Sequence, residues 1–88
     1  MSGGQWDYCG SRIRSELEMI AEDPLVRKRW PRIARLFADL SQIIYDAEHT
    51  MDWDLSGDTV IPDDKKFEVR ICADALASVI KILDMKPL

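Results

Sequence analysis

The sequence predicts an all-α fold, a small bundle of three main helices built around one long central helix. Apolar residues recur every three or four positions through residues 24–53, which is the period of a helix with one buried face. No segment shows the strict alternation of a strand, and the links between helical segments are short. The members of the central stripe are Val26, Trp30, Ile33, Phe37, Leu40, Ile44, Ala47 and Met51.

Composition limits the chain to one domain spanning residues 1–88, with a net charge of −4. Its two cysteines, Cys9 and Cys72, lack any paired metal spacing, which is typical of reduced thiols in an intracellular protein. The first ten residues do not resemble a signal peptide, and no apolar run approaches the ~20 residues of a membrane span. We therefore expect a cytoplasmic protein.

The N-terminal residues 1–5 contain paired glycines and nothing to bury, and this pattern predicts a flexible tail. Trp6 and Tyr8 follow directly. Two aromatic residues in such a position usually fold back onto a core, although they can also contact a partner.

The first helix is predicted over residues 11–22, with Ser11 as its N-cap because a hydroxyl can accept a bond from a first-turn amide. An earlier start near Asp7 remains open if the helix tolerates Gly10, at a cost of about 1 kcal/mol. The apolar residues that support this helix are Ile13, Leu17 and Ile20.

Asp23 and Pro24 end the first helix and begin the next, as an N-cap and a first helical residue. Pro31 lies within the central stripe, where a proline removes a backbone hydrogen bond and crowds the preceding turn. Two interpretations follow: a continuous, kinked helix, or a short helix over 24–30 with Pro31 starting the long one. The break is favoured because a residue before proline avoids the helical region, and Trp30 could then pack inward.

The long helix is predicted to run to about Trp53, followed by an acidic interhelix loop over 54–62. Within it, Ser56-Gly57 can supply the left-handed residue that closes a helix. The last helix is predicted from about Asp63 to Asp84 and is apolar over more than half its girth. Such a helix is typically buried between neighbours, yet one short first helix offers little cover. We therefore expect a homodimer that completes the core.

The interhelix loop resembles a calcium-binding EF-hand loop in part. Asp52, Asp54 and Ser56 match its first, third and fifth positions, with Gly57 at the turn before Asp58 and Asp63 at the last position. The last acid is shorter than the usual glutamate, and the loop is single rather than paired. The pattern favours an acidic loop with a helix stop and a helix cap, and it predicts no metal and no cofactor.

A basic cluster lies near the start of the central stripe, in a stretch without acidic residues. Bases beside an aromatic ring suit a phosphate and a stacked nucleobase, so the cluster is a candidate site for a partner or for a small anion. The acidic balance and the lack of a helix-turn-helix pattern argue against duplex DNA. The cluster comprises Arg27, Lys28, Arg29, Arg32 and Arg35, with Trp30.

Residues 46–64 hold seven acids and no lysine or arginine, at the opposite end of the long helix from the basic cluster. Such polarity favours pairing with a charged partner or with another molecule of the same chain. The candidate acidic residues are Asp52, Asp54 and Asp58. His49 is the only histidine, and no nucleophile–base pair is suggested, so a non-enzymatic protein is predicted.

A short, acidic, all-helical chain with the run Asp52-Trp53-Asp54-Leu55-Ser56-Gly57-Asp58-Thr59 between two helices resembles small accessory proteins of phages and prophages, anti-CRISPR proteins among them. The resemblance implies a protein that binds and blocks a bacterial host protein or defence complex, and it carries over no catalytic residue. The alternatives are an oligomeric binder of a nucleotide or other anion at residues 27–35, and a structural or assembly subunit of a phage particle.

Overall fold

The computed structural model describes residues 4–85 and confirms the all-α prediction. The described range contains four helices and no strand, and none of the helices has the length and apolar content needed to cross a bilayer. The helices are α1 (Cys9–Glu22), α2 (Pro24–Arg29), α3 (Pro31–Leu55) and α4 (Asp64–Leu83).

Helix α1 starts earlier than residue 11, and the predicted Ser11 cap is wrong. The N-cap is Tyr8, which adopts a left-handed conformation with φ of 55° and makes no side-chain capping bond. Gly10 is therefore inside the helix, where it lies against α3. A Cβ atom at this position would lie 2.5 Å from Oε2 of Glu48, so glycine allows the two helices to approach closely.

The predicted break at Pro31 is present, and the long helix begins at that residue. Asp23 caps α2 by accepting a hydrogen bond from the Leu25 amide at 2.8 Å. Trp30 joins the two helices with φ of −135° and ψ of 65°, outside the helical region. The inward packing expected for Trp30 is not found: the side chain is 45% exposed, and the Arg29 guanidinium stacks 4.4 Å from its ring centre.

Helix α3 ends at Leu55, two residues beyond the predicted end, so the connecting loop covers 56–63 instead of 54–62. Gly57 has a φ of 84° and supplies the left-handed residue expected after the helix. Asp63 caps α4 by accepting a hydrogen bond from the Lys66 amide at 3.0 Å. The helix stop and the helix cap thus define this loop.

The helices form a single layer with α3 in the middle. Helices α1 and α4 each pack on α3 but, in the part of the chain that the structure describes, do not contact one another. The Cα atoms span 46 × 25 × 11 Å, and their radius of gyration is 15.1 Å. A compact domain of this length has a radius of gyration of about 12 Å. A single copy is therefore a flat layer and not a closed bundle.

A flat layer has little interior. Among the described residues the only buried apolar side chains are Ala21, Ala34 and Ile82. The accessible surface is 6576 Å², about 1300 Å² more than the roughly 5300 Å² expected of a compact monomer of this mass. One copy therefore leaves apolar side chains exposed, as the sequence predicted. Dimerisation itself stays a prediction.

Candidate protein-interaction surface

An open apolar groove lies over α3, between α1 and α4. Its volume is about 350 Å³. Because α1 and α4 lie on separate sides of α3, the stripe of α3 between them is only partly covered. The residues that line this apolar groove are Trp6, Cys9, Ile13, Ile43, Ile44, Ala47, Glu48, Met51 and Ile71. The groove thus collects side chains from all three long helices and from the N-terminal segment.

Glu48 is the one acidic side chain in the wall of the apolar groove. It is only 8% exposed, because its side chain packs against the backbone of Gly10. Its Oε1 atom is buried and accepts no hydrogen bond within the described residues. An unsatisfied buried acceptor is unfavourable by about 1–3 kcal/mol, so this carboxylate lowers the stability of the isolated chain.

Helix α4 exposes a second apolar surface, on the side that α3 does not cover. Phe67, Ile71, Ala75, Ser78 and Ile82 are the partly or fully buried residues of this helix and face α3. The outer residues are all exposed to solvent and recur at alternating spacings of three and four. These residues define the α4 outer face: Val69, Cys72, Leu76, Val79 and Leu83.

Of the acidic candidate residues, Asp52 is the one that no partner can reach in this structure. It is 2% exposed. Its carboxylate accepts hydrogen bonds from the backbone amides of Gly4 and Gln5, both at 2.7 Å, and from the Ser56 hydroxyl at 3.2 Å. Asp52 therefore anchors the N-terminal segment to the end of α3. Of the tail predicted over 1–5, residues 4 and 5 are held in place, and residues 1–3 lie outside the described range.

The other two acidic candidates differ from Asp52 and from each other. Asp54 accepts a hydrogen bond from the Ile61 amide at 2.6 Å, so its carboxylate shapes the loop. Asp58 is exposed. The three acids do not converge on one point, and residues 4–85 contain no group of three potential ligands arranged to hold a metal ion.

Two members of the basic cluster are engaged within the protein. The Arg32 guanidinium donates from Nε to the Ile82 carbonyl at 3.3 Å and from a terminal nitrogen to the Met85 carbonyl. These carbonyls are at the C-terminal end of α4, where a cation is favoured by the helix dipole. Arg35 forms an ion pair with Asp39 at 3.0 Å. Arg32 thus serves to tie α4 to the start of α3.

The remaining basic residues are exposed on α2. Arg27 shares a wide groove of about 900 Å³ with Arg35, and the same groove is lined by the acids Glu22 and Asp39. Lys28 is exposed, and Arg29 stacks on Trp30 as described above. The sequence cluster is therefore divided in space, and the groove that Arg27 and Arg35 line carries charges of both signs.

A row of aromatic rings on α3 was not expected from the sequence as a unit. The His49 ring stacks on Tyr45 with centres 5.7 Å apart and lies 4.6 Å from the Trp53 ring. The Arg14 guanidinium of α1 lies 4.0 Å from the centre of the Tyr45 ring and joins the two helices. The spacing of four residues between the three rings was the available signal. The lone histidine is thus part of a packed row.

Comparison of the chain with protein-family models, with curated proteins and with solved structures gave no match. The likeness to phage accessory proteins therefore stays a prediction from the sequence.

Proposed function

We propose that this protein is a non-enzymatic interaction module whose apolar groove is covered by a surface of another protein. The observation that carries the proposal is the single layer of helices, which leaves apolar side chains of three helices facing one open groove. Exposed apolar surfaces of this kind typically mark interaction sites. The finer form of the proposal, taken from the sequence, is a phage-type inhibitor that binds a bacterial host protein in the cytoplasm.

Affinity capture from a bacterial lysate tests this proposal. We expect Met51→Lys to abolish capture of the partner, because Met51 lines the apolar groove and a lysine there places a charge in the contact. Gln42→Lys is the matched control, since Gln42 is exposed on the same helix and bonds only to Asp46 among the described contacts. Equal capture by both variants, or no specific capture by the unmodified protein, would refute the proposal.

A second candidate function is the binding of a nucleotide or another anion. It is favoured by Arg27 and Arg35, which line one groove, and it is weakened by Glu22 and Asp39 in the same groove. Thermal unfolding with and without ATP tests it, because a ligand that binds the folded state raises the melting temperature. A rise that disappears on replacing Arg27 with alanine would support this function, and no rise would discard it.

A further inference from the structure

We infer that the α4 outer face is a homodimer seam, in which α4 pairs with α4 of a second copy in antiparallel orientation. This inference goes beyond the proposed function, because it concerns a surface other than the apolar groove and a partner other than a host protein. The occupant is a second copy of this chain, whose own α4 carries the same apolar stripe.

The spacing of the exposed residues is that of a coiled-coil seam. Val69, Cys72, Leu76, Val79 and Leu83 follow one another at intervals of three, four, three and four residues. This alternation places them in one line along a helix, as the core positions of a heptad repeat. None of them belongs to the set that faces α3, so α4 carries one apolar stripe for its own chain and a second one for a partner.

The open surface of one copy is large enough in total to include a dimer interface. One copy has about 1300 Å² more surface than a compact monomer, whereas a typical specific interface takes about 800 Å² from each partner. Helix α4 has 20 residues, so a full-length pairing would run for about 30 Å. The excess surface of one copy, which the α4 outer face shares with the apolar groove, is therefore larger than one side of a standard dimer interface.

The shape of the α4 outer face selects a register. A shallow depression of about 450 Å³ lies on α4 and is lined by Val69, Cys72, Ala73 and Leu76 together with the charged residues Lys65 and Glu68. In the antiparallel pairing with the longest overlap, Cys72 lies opposite Leu76 of the second copy, and that leucine fills the depression. The small side chains of Cys72 and Ala73 allow the two helices to approach closely at this point.

Charge selects the antiparallel orientation over the parallel one. Lys65 continues the line of the seam at the start of α4. In an antiparallel pair it lies beside the C-terminal end of the second α4, where a positive charge is favoured. In a parallel pair the two copies of Lys65 would face each other, and like charges at that position are unfavourable.

Disulfide trapping tests the orientation and the register together. With Cys9→Ser as background, we introduce Leu76→Cys and keep Cys72, and then oxidise the protein with oxidised glutathione. We expect a covalent dimer, because the thiol at position 76 faces Cys72 of the second copy. Adding Cys72→Ser should abolish it, since two thiols at position 76 are offset by about 6 Å along the helices, which puts their Cα atoms beyond the ~7 Å that a disulfide spans. Crosslinking without Cys72, or none in either variant, would overturn the inference.

Size measurement by light scattering tests the seam without cysteines. We expect Leu76→Glu to halve the mass of the dimer, because a carboxylate at the centre of the seam would lose its water. Leu25→Glu is the matched control: Leu25 on α2 is 67% exposed against 60% for Leu76, so neither change disturbs the fold of one copy. A dimer that persists in Leu76→Glu would contradict the seam. If the unmodified protein forms the dimer but captures no partner from the lysate, the groove proposal fails alone. If it captures a partner but remains a monomer, the seam inference fails alone.

Discussion

Replacement of Asp52 by asparagine is the most informative change in the folded chain. The Asp52 carboxylate accepts hydrogen bonds from the backbone amides of Gly4 and Gln5, both at 2.7 Å, and the residue is 2% exposed. An asparagine has one oxygen and one NH₂ group, so at least one of these amides would face another donor. A hydrogen bond to a charged group contributes about 1.5–3 kcal/mol, and we expect Asp52→Asn to lower the free energy of unfolding by about 2–3 kcal/mol.

This loss corresponds to a fall in melting temperature of about 10–20 °C for a domain of this size, measured by circular dichroism at one protein concentration. Amide hydrogen exchange gives a second, local readout, because Gly4 and Gln5 should lose their protection while the middle of α3 keeps its own. Asp58→Asn, in the loop that follows α3, is the control, and its exposed side chain predicts a change within about 0.5 kcal/mol. Equal stability of the two variants would refute the anchoring role of Asp52.

Two further changes test other contacts of the fold by urea denaturation. Arg32→Ala removes the bonds to the Ile82 and Met85 carbonyls and should destabilise the protein by about 1–3 kcal/mol, whereas Lys28→Ala, in an exposed position of the same basic cluster, should have little effect. Equal losses in the free energy of unfolding for Arg32→Ala and Lys28→Ala would mean that Arg32 does not cap α4. Glu48→Met removes the unsatisfied Oε1 atom while filling similar space, and should stabilise the protein by about 1 kcal/mol or more. A loss of stability in that variant would mean that Glu48 has a partner in solution.

The elements of the fold could be predicted because each depends on local rules. The period of the apolar residues gave α3 and α4, and the properties of proline and aspartate gave the break at Pro31 and the caps at Asp23 and Asp63. For the start of α1 these rules left two alternatives, of which the structure shows the earlier. Tyr8 holds a left-handed conformation that no side-chain pattern signals, and Gly10 is tolerated because α3 passes close to it.

The candidate site was harder to predict, because charge patterns do not report tertiary contacts. Asp52 and Arg32 both looked like surface charges available to a partner, yet one anchors the N-terminal segment and the other caps a helix. Each makes its decisive bonds to residues about fifty positions away in the chain. Only the excess of apolar surface was visible in advance, since the width of the apolar stripe on α4 follows directly from the sequence.

The central claim is that one copy exposes an unfavourably large apolar surface to water, and that a second chain buries part of this surface. Sedimentation equilibrium of the unmodified protein over a wide range of concentration tests this most directly. We predict a mass twice the 10.1 kDa of one chain, with dissociation only at high dilution. A single species of 10.1 kDa throughout that range would contradict the account.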